Sequence, residues 1–176
     1  ILSNGNIYKY KDKEVTLIKS SVPFLRLVCD KYGVLWGLNG DKVYKVDKTF
    51  EILKTYNLKG ADSSPAKGLC IYADSRSIIW IGTIKDGLFK YNRTYDDFHK
   101  ETIVSEYKVD DLEDIASIAE DEYNRLWIGY NYGLAIYDYN DHLFRNYAFE
   151  TNHNSLQNVA ITSIYRTKSH NMVIGS

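Results

Sequence analysis

Residues 120–129 read Glu120-Asp121-Glu122-Tyr123-Asn124-Arg125-Leu126-Trp127-Ile128-Gly129. Ile118-Ala119 precedes this stretch, and Gly133-Leu134-Ala135-Ile136-Tyr137 follows it. Asp121 to Asn124 is turn chemistry, because an Asp carboxylate bonds the backbone just ahead of it and Asn tolerates left-handed angles. The runs on either side are short, rich in β-branched and aromatic residues, and alternate in polarity, as half-buried strands do. The stretch is strand, tight turn, strand, turn, strand.

The pattern recurs. Upstream it reads Ile71-Tyr72-Ala73-Asp74, then Ile79-Trp80-Ile81-Gly82-Thr83, then Gly87-Leu88-Phe89-Lys90-Tyr91. Further upstream it reads Leu27-Val28-Cys29-Asp30, Tyr32-Gly33, Leu35-Trp36-Gly37 and Val43-Tyr44-Lys45-Val46. A fourth copy begins at Ile164 and reaches Met172-Val173-Ile174-Gly175, with Thr167 in the Asp place and Val173 in the Trp place. Trp36, Trp80, Trp127 and Val173 are about 44–47 residues apart, the period of blade-type repeats. The N-terminus keeps the phase, since Ile7-Tyr8-Lys9-Tyr10 matches Leu134-Ala135-Ile136-Tyr137.

A unit of four short strands cannot bury both faces alone, so neighbouring units must stack. A Trp once per unit fills the gap between twisted sheets, and a nearby Gly admits close backbone approach. The expected fold is all-β: a β-propeller fragment of about four blades of four-stranded antiparallel sheets. Residues 1–176 form a single propeller segment, with blade boundaries near 22, 65, 114 and 158. The chain starts and stops partway through a second strand, so an open piece of a larger propeller is expected over a closed four-bladed ring. The polar connectors Asn57 to Pro65, Val109 to Asp114 and Thr151 to Asn158 suit loops at one rim.

Composition narrows the function. A formal net charge of -1 argues against a nucleic-acid partner, which needs a basic face. Sixteen Tyr against two Pro fit a strand-rich chain. No stretch resembles a membrane helix or a signal peptide. Cys29 and Cys70 lie in strand-like runs without metal-ligand spacing, and are expected to be buried free thiols. Their opposite parity relative to the core residues of their strands sends them to opposite sheet faces, which excludes a mutual disulfide.

No catalytic, metal or cofactor constellation emerges. Asp30, Asp74 and Asp121 recur once per repeat and read as turn residues, and the three Trp read as core. His99, His142, His153 and His170 are scattered in polar contexts. The acidic run Asp110-Asp111-Leu112-Glu113-Asp114 lacks the Gly and spacing of a calcium loop and reads as solvated. A ligand site on such a fold would use loops at one rim and the mouth of the channel. The candidates in the short inter-strand loops are Asn39, Lys85, Asp86, Asn131 and Tyr132, each also readable as a plain turn residue.

Glu120 to Gly129, Asp74 to Thr83 and Asp30 to Gly37 resemble the "eD-x-x-G-x-LWIGT" core of the two-component-regulator propeller repeats. Asn152-His153-Asn154-Ser155-Leu156-Gln157-Asn158-Val159 resembles the stretch that enters each blade of that family. The chain departs from the pattern where Gly37 follows Trp36 directly, where Ser77 and Asn124 replace the turn Gly, and in the fourth copy. The resemblance implies a non-catalytic sensor propeller from the periplasmic region of a hybrid two-component histidine kinase of Bacteroides-like bacteria. In such inner-membrane proteins the kinase lies elsewhere, and the signals are oligosaccharides released from glycans. The implied partners are an oligosaccharide, other blades, or the same chain in a homo-oligomer. No cofactor, nucleic acid or direct membrane contact is implied. The alternative is a structural protein-interaction propeller of a cell-envelope or secretion complex. A propeller enzyme would need converging acid, base or metal residues, which the sequence does not supply.

Overall fold

Each apolar run between Asp, Asn or Gly turns forms one strand of an antiparallel sheet in a computed structural model. It describes residues 2–3, 6–18, 22–102, 112–140, 142–146 and 159–176. β1 (Leu2–Ser3), β2 (Asn6–Lys11) and β3 (Glu14–Ile18) form an N-terminal sheet. Blade 1 is β4 (Arg26–Cys29), β5 (Leu35–Asn39), β6 (Lys42–Val46) and β7 (Ile52–Asn57). Blade 2 is β8 (Gly68–Ala73), β9 (Ile79–Thr83), β10 (Leu88–Asn92) and β11 (Asp97–Lys100). Blade 3 is β12 (Ser117–Glu120), β13 (Leu126–Tyr130), β14 (Gly133–Asp138) and β15 (Leu143–Asn146). β16 (Ser163–Arg166) and β17 (Met172–Gly175) pair alone. No helix occurs among the described residues, and the N- and C-terminal sheets do not join, so the blades form an open arc.

The core lies between blades. Trp36, Leu38 and Val43 of blade 1 are buried with Ile71, Ile81, Phe89 and Tyr91 of blade 2. Cys70, Trp80 and Leu88 of blade 2 are buried with Ile118, Ile128 and Tyr137 of blade 3. Period-two alternation thus sends one side of each sheet to the preceding blade and the other side to the following one.

In each full blade one carboxylate organises the first turn. Asp74 Oδ1 accepts from the N–H groups of Arg76 (3.0 Å) and Ile78 (2.7 Å), while Oδ2 accepts from Trp80 Nε1 (2.9 Å). Asp30 holds Tyr32, Val34 and Trp36 in the same way, and Asp121 holds Tyr123, Arg125 and Trp127. Burial works against the Asp121 carboxylate, but the Trp127 and Arg125 bonds outweigh it and lower its pKa.

Two expectations need correction. Trp127 is only half-buried, although it keeps the bond to Asp121. Trp36 is covered by Tyr91 and Phe98, and Trp80 by Tyr137, from the third and fourth strands of the next blade. Among the described residues the sheet after blade 3 holds only β16 and β17, with no third or fourth strand to cover Trp127. Cys29 is exposed, not buried, because its place faces the preceding blade. There its counterpart Glu120 accepts from the first turn of blade 2, through Ser75 N (2.8 Å), and among the described residues no such turn stands beside Cys29. Both thiols are free, and burial pushes that of Cys70 up to about 12.

The irregular glycines have a packing reason. A Cβ on Gly82 would lie 2.4 Å from Ile115 Cγ2, and one on Gly129 would lie 2.6 Å from Ile161 Cγ2. At the seam of blades 1 and 2 the sizes are exchanged: Leu38 stands in the glycine place, and a Cβ on its partner Gly68 would lie 2.8 Å from Leu38 Cδ1. Gly37 is covered by its own blade's Phe24, 2.5 Å from a built Cβ.

The same seam carries a polar lock. Asp96, at φ 48°, receives Lys54 Nζ at 2.6 Å and Tyr56 OH at 2.8 Å from β7, and the hydroxyl of Tyr91 from its own blade. The Lys54 bond first, then the two tyrosines, holds its carboxyl well below the usual carboxylate range.

Trp80→Ala should destabilise by about 3–5 kcal/mol in urea unfolding, and Trp127→Ala by roughly half as much, because only the first indole is fully enclosed. Leu38→Gly and Gly68→Ile should each destabilise, whereas the double variant should recover more than about 1 kcal/mol relative to their sum, read as a double-mutant cycle. Asp96 has a folded pKa below its unfolded one, so its stabilisation is present near neutral pH and is lost as pH falls through the folded value. The stability gap between the wild type and Asp96→Asn should therefore narrow below about pH 4 in acid-dependent unfolding.

Candidate functional site

The five candidate residues all lie where the second and third strands of a blade meet. Asn39 ends β5, Lys85 and Asp86 lie between β9 and β10, and Asn131 and Tyr132 lie between β13 and β14. Backbone bonds set these turns beside the inter-blade connectors at one rim. Gly68 N donates to Gly40 O (2.9 Å), Ile84 N to Lys67 O (2.9 Å) and Asn131 N to Glu113 O (3.3 Å). The structure brings Lys85 and Asp86 together with the connector 61–67 in an open cleft of about 500 Å³. Asn39 and the Asn131–Tyr132 turn line neighbouring blades and not this cleft. The Asn131 amide also donates to Asp114 Oδ2 at 3.2 Å.

Both walls of the cleft are held from below. The connector folds back on itself: Lys59 bridges Pro65, Ala66 N donates to Leu58 O (3.0 Å), and Gly60 N donates to Ser64 O (2.8 Å). Asp62 Oδ1 accepts from Ser64 N at 2.9 Å, and the bonds from Ser64 lower its pKa. On the other wall the buried Thr83 hydroxyl donates to Gly87 O (2.7 Å) and accepts from Asp86 N (3.1 Å). The Asp86 carboxylate rests on Gly60, where a Cβ would lie 2.2 Å from Oδ1.

The cleft offers the ammonium groups of Lys67 and Lys85, the carboxylates of Asp62 and Asp86, and the apolar sides of Pro65 and Ile84. The lining thus mixes hydrogen-bond donors and acceptors with two apolar side chains. It holds no nucleophile–base pair. Asp62 and Lys67 escaped notice in the sequence because the connector read only as polar loop. The Asp62-Ser63-Ser64-Pro65 run, an Asp bonding two residues on, was the available signal.

At the opposite rim Asp30, Asp74 and Asp121 are consumed by their turns and indoles. His170 lies 3.5 Å from Glu122, His142 contacts the Tyr137 hydroxyl, and His99 lies beside Tyr95. His153, the stretch 152–158 and Asp110-Asp111 lie outside the described residues. Among the described residues no three His, Cys, Asp or Glu side chains gather to hold a metal, and no helix is long and apolar enough to cross a membrane.

No family model and no curated protein matches the chain. Solved structures do. The extracellular domain of BT4673 of B. thetaiotaomicron, described as a hybrid two-component system, aligns with a TM-score of 0.71 at 17% identity, over 99% of this chain and 24% of that one. The extracellular domain of BT3049 of the same organism, described likewise, aligns at 0.69 and 22%, over 95% of this chain and 22% of that one. Virginiamycin B lyase of Staphylococcus aureus aligns at 0.68 and 11%, over 97% and 56%. The chain spans about a quarter of the length of the two extracellular domains. At these identities the likeness is one of fold, and the chain is an open arc of β-propeller blades.

Proposed function

We propose that the chain is part of a non-catalytic sensor propeller in a hybrid two-component histidine kinase. It stands on the outer side of the inner membrane, in the periplasm, and recognises an oligosaccharide derived from a glycan. The kinase chemistry resides elsewhere in the protein. The observation that carries this reading is the alignment of nearly the whole arc with the extracellular domains of two proteins described as such systems. The Lys85–Asp86 cleft supports the ligand class. Its walls are fixed by backbone bonds, and its polar groups suit the hydroxyls of a sugar without offering a reactive centre. A cleft built on braced turns loses little conformational freedom on binding.

Isothermal titration of the chain against a panel of plant- and host-glycan oligosaccharides should find saturable binding. Asp86→Ala and Lys85→Ala should each weaken it about tenfold, the loss of roughly one hydrogen bond to a charged group. Binding that neither substitution alters would remove the cleft from the site, and inertness of the whole panel would count against an oligosaccharide signal.

A further inference from the structure

The seams between blades differ at their outer strands as well. At the seam of blades 1 and 2, Lys54 and Tyr56 hold Asp96. The same place at the seam of blades 2 and 3 can be found from register. His99 pairs with Lys90 as Lys54 pairs with Lys45. Glu101 N donates to Leu88 O, where Tyr56 pairs with Val43. The counterpart of Asp96 is His142: both have positive φ (48° and 57°), and each meets the hydroxyl of the tyrosine five residues before it. The Lys–Tyr–Asp set has thus become His99, Glu101 and His142. Among the described residues no hydrogen bond or ion pair joins His142 to His99 or Glu101, so these three residues do not repeat the lock of the first seam.

On the blade 2 side of that place lies a groove of about 190 Å³, lined by Lys90, Asn92, Tyr95, His99 and Glu101. Tyr95 is 73% exposed, with the His99 ring edge-on to it at 5.8 Å. Its backbone is braced from both sides. Asn92 Oδ1 accepts from the N–H groups of Thr94 (2.9 Å) and Tyr95 (3.3 Å), and Asp96, the next residue, is pinned by the first seam's lock. The Asn92 oxygen is thereby used while its Nδ2 can still donate. Lys90 and Glu101 face each other at 3.7 Å, wide enough for the ammonium to donate to, and the carboxylate to accept from, other partners.

We propose that this groove binds a single pyranose unit of an oligosaccharide, with the apolar face of the sugar on the Tyr95 ring. An ammonium, an amide donor and a carboxylate around one exposed ring match a ligand that has an apolar face and a rim of hydroxyls. A peptide carboxylate would be attracted by Lys90 but repelled by Glu101, whereas a sugar hydroxyl both donates and accepts. Tyr95 stands at the rim opposite the Lys85–Asp86 cleft, so this site is separate from the one assigned above. Because the backbone on both sides of Tyr95 is held in advance, binding requires little ordering of the turn.

The test is calorimetric titration of the chain with four probes: maltotetraose, cellotetraose, mannotetraose and tetragalacturonate. At least one should bind. Tyr95→Ala should weaken that binding about tenfold, as expected for the loss of a stacking ring, while Tyr95→Trp retains it, and the same tenfold loss should appear when Tyr95→Ala is placed in an Asp86→Ala background that already weakens the cleft. Tyr95 is exposed, so its variants should keep the parent unfolding curve. Binding abolished by Asp86→Ala but intact in Tyr95→Ala would overturn the groove while sparing the cleft. Failure of all four probes to bind, or equal affinity in Tyr95→Ala and the parent, would also overturn it.

Discussion

A buried carboxylate bonded to an indole sets the geometry of every full blade. In water the Asp74 side chain would be solvated, and at 3% exposure it must be satisfied by the protein. Two backbone N–H groups and one indole N–H satisfy it, which fixes the turn, the rotamer of Trp80 and the distance between the first two strands together. Charge-assisted bonds of this type are stronger than neutral ones. The indole so oriented becomes the surface on which the next blade rests. That blade contributes as well: the Tyr139 hydroxyl bonds Asp74, and Arg93 approaches Asp30 to 3.9 Å. At Asp121 the donor is Arg125 from the same turn, at 2.7 Å.

Stacking of this kind makes each seam a local problem solved with local residues. At one seam a Leu fills the space beside a Gly; at the next two, an Ile or its equivalent does so from the other side. One seam is tied by Lys54 and Asp96, and at its neighbour His99 and His142 stand in those places. The repeat therefore conserves the frame and varies what fills it, and the variation is where a ligand can be accommodated.

The frame was legible in the sequence because it rests on short-range chemistry. Asp, two turn residues and Trp at fixed offsets specify strand, turn and strand without reference to anything distant. The burial of Trp127 and Cys29 was not legible, since it depends on what the adjoining blade presents. The glycine shift at Gly37 looked like degeneracy until Leu38, Gly68 and Phe24 were seen as one packing problem. Of the five rim residues only Lys85 and Asp86 share a cleft, because its other wall comes from residues about twenty positions upstream. Tyr95 and His99 did not stand out, as their meaning comes from comparing two seams in space.

The exchange of sizes at Leu38 and Gly68 also bears on how repeats of such similar sequence find their proper neighbours while folding. If β5 met the segment that belongs after β9, Leu38 would be driven against Ile115, two large side chains in room for one. If β9 met the segment before β8, Gly82 would face Gly68 and leave a hole. Both mispaired arrangements carry a packing penalty that the native order avoids. Complementary shapes thus discriminate between blades whose turns and indoles are nearly identical, and they do so through the inner two strands alone.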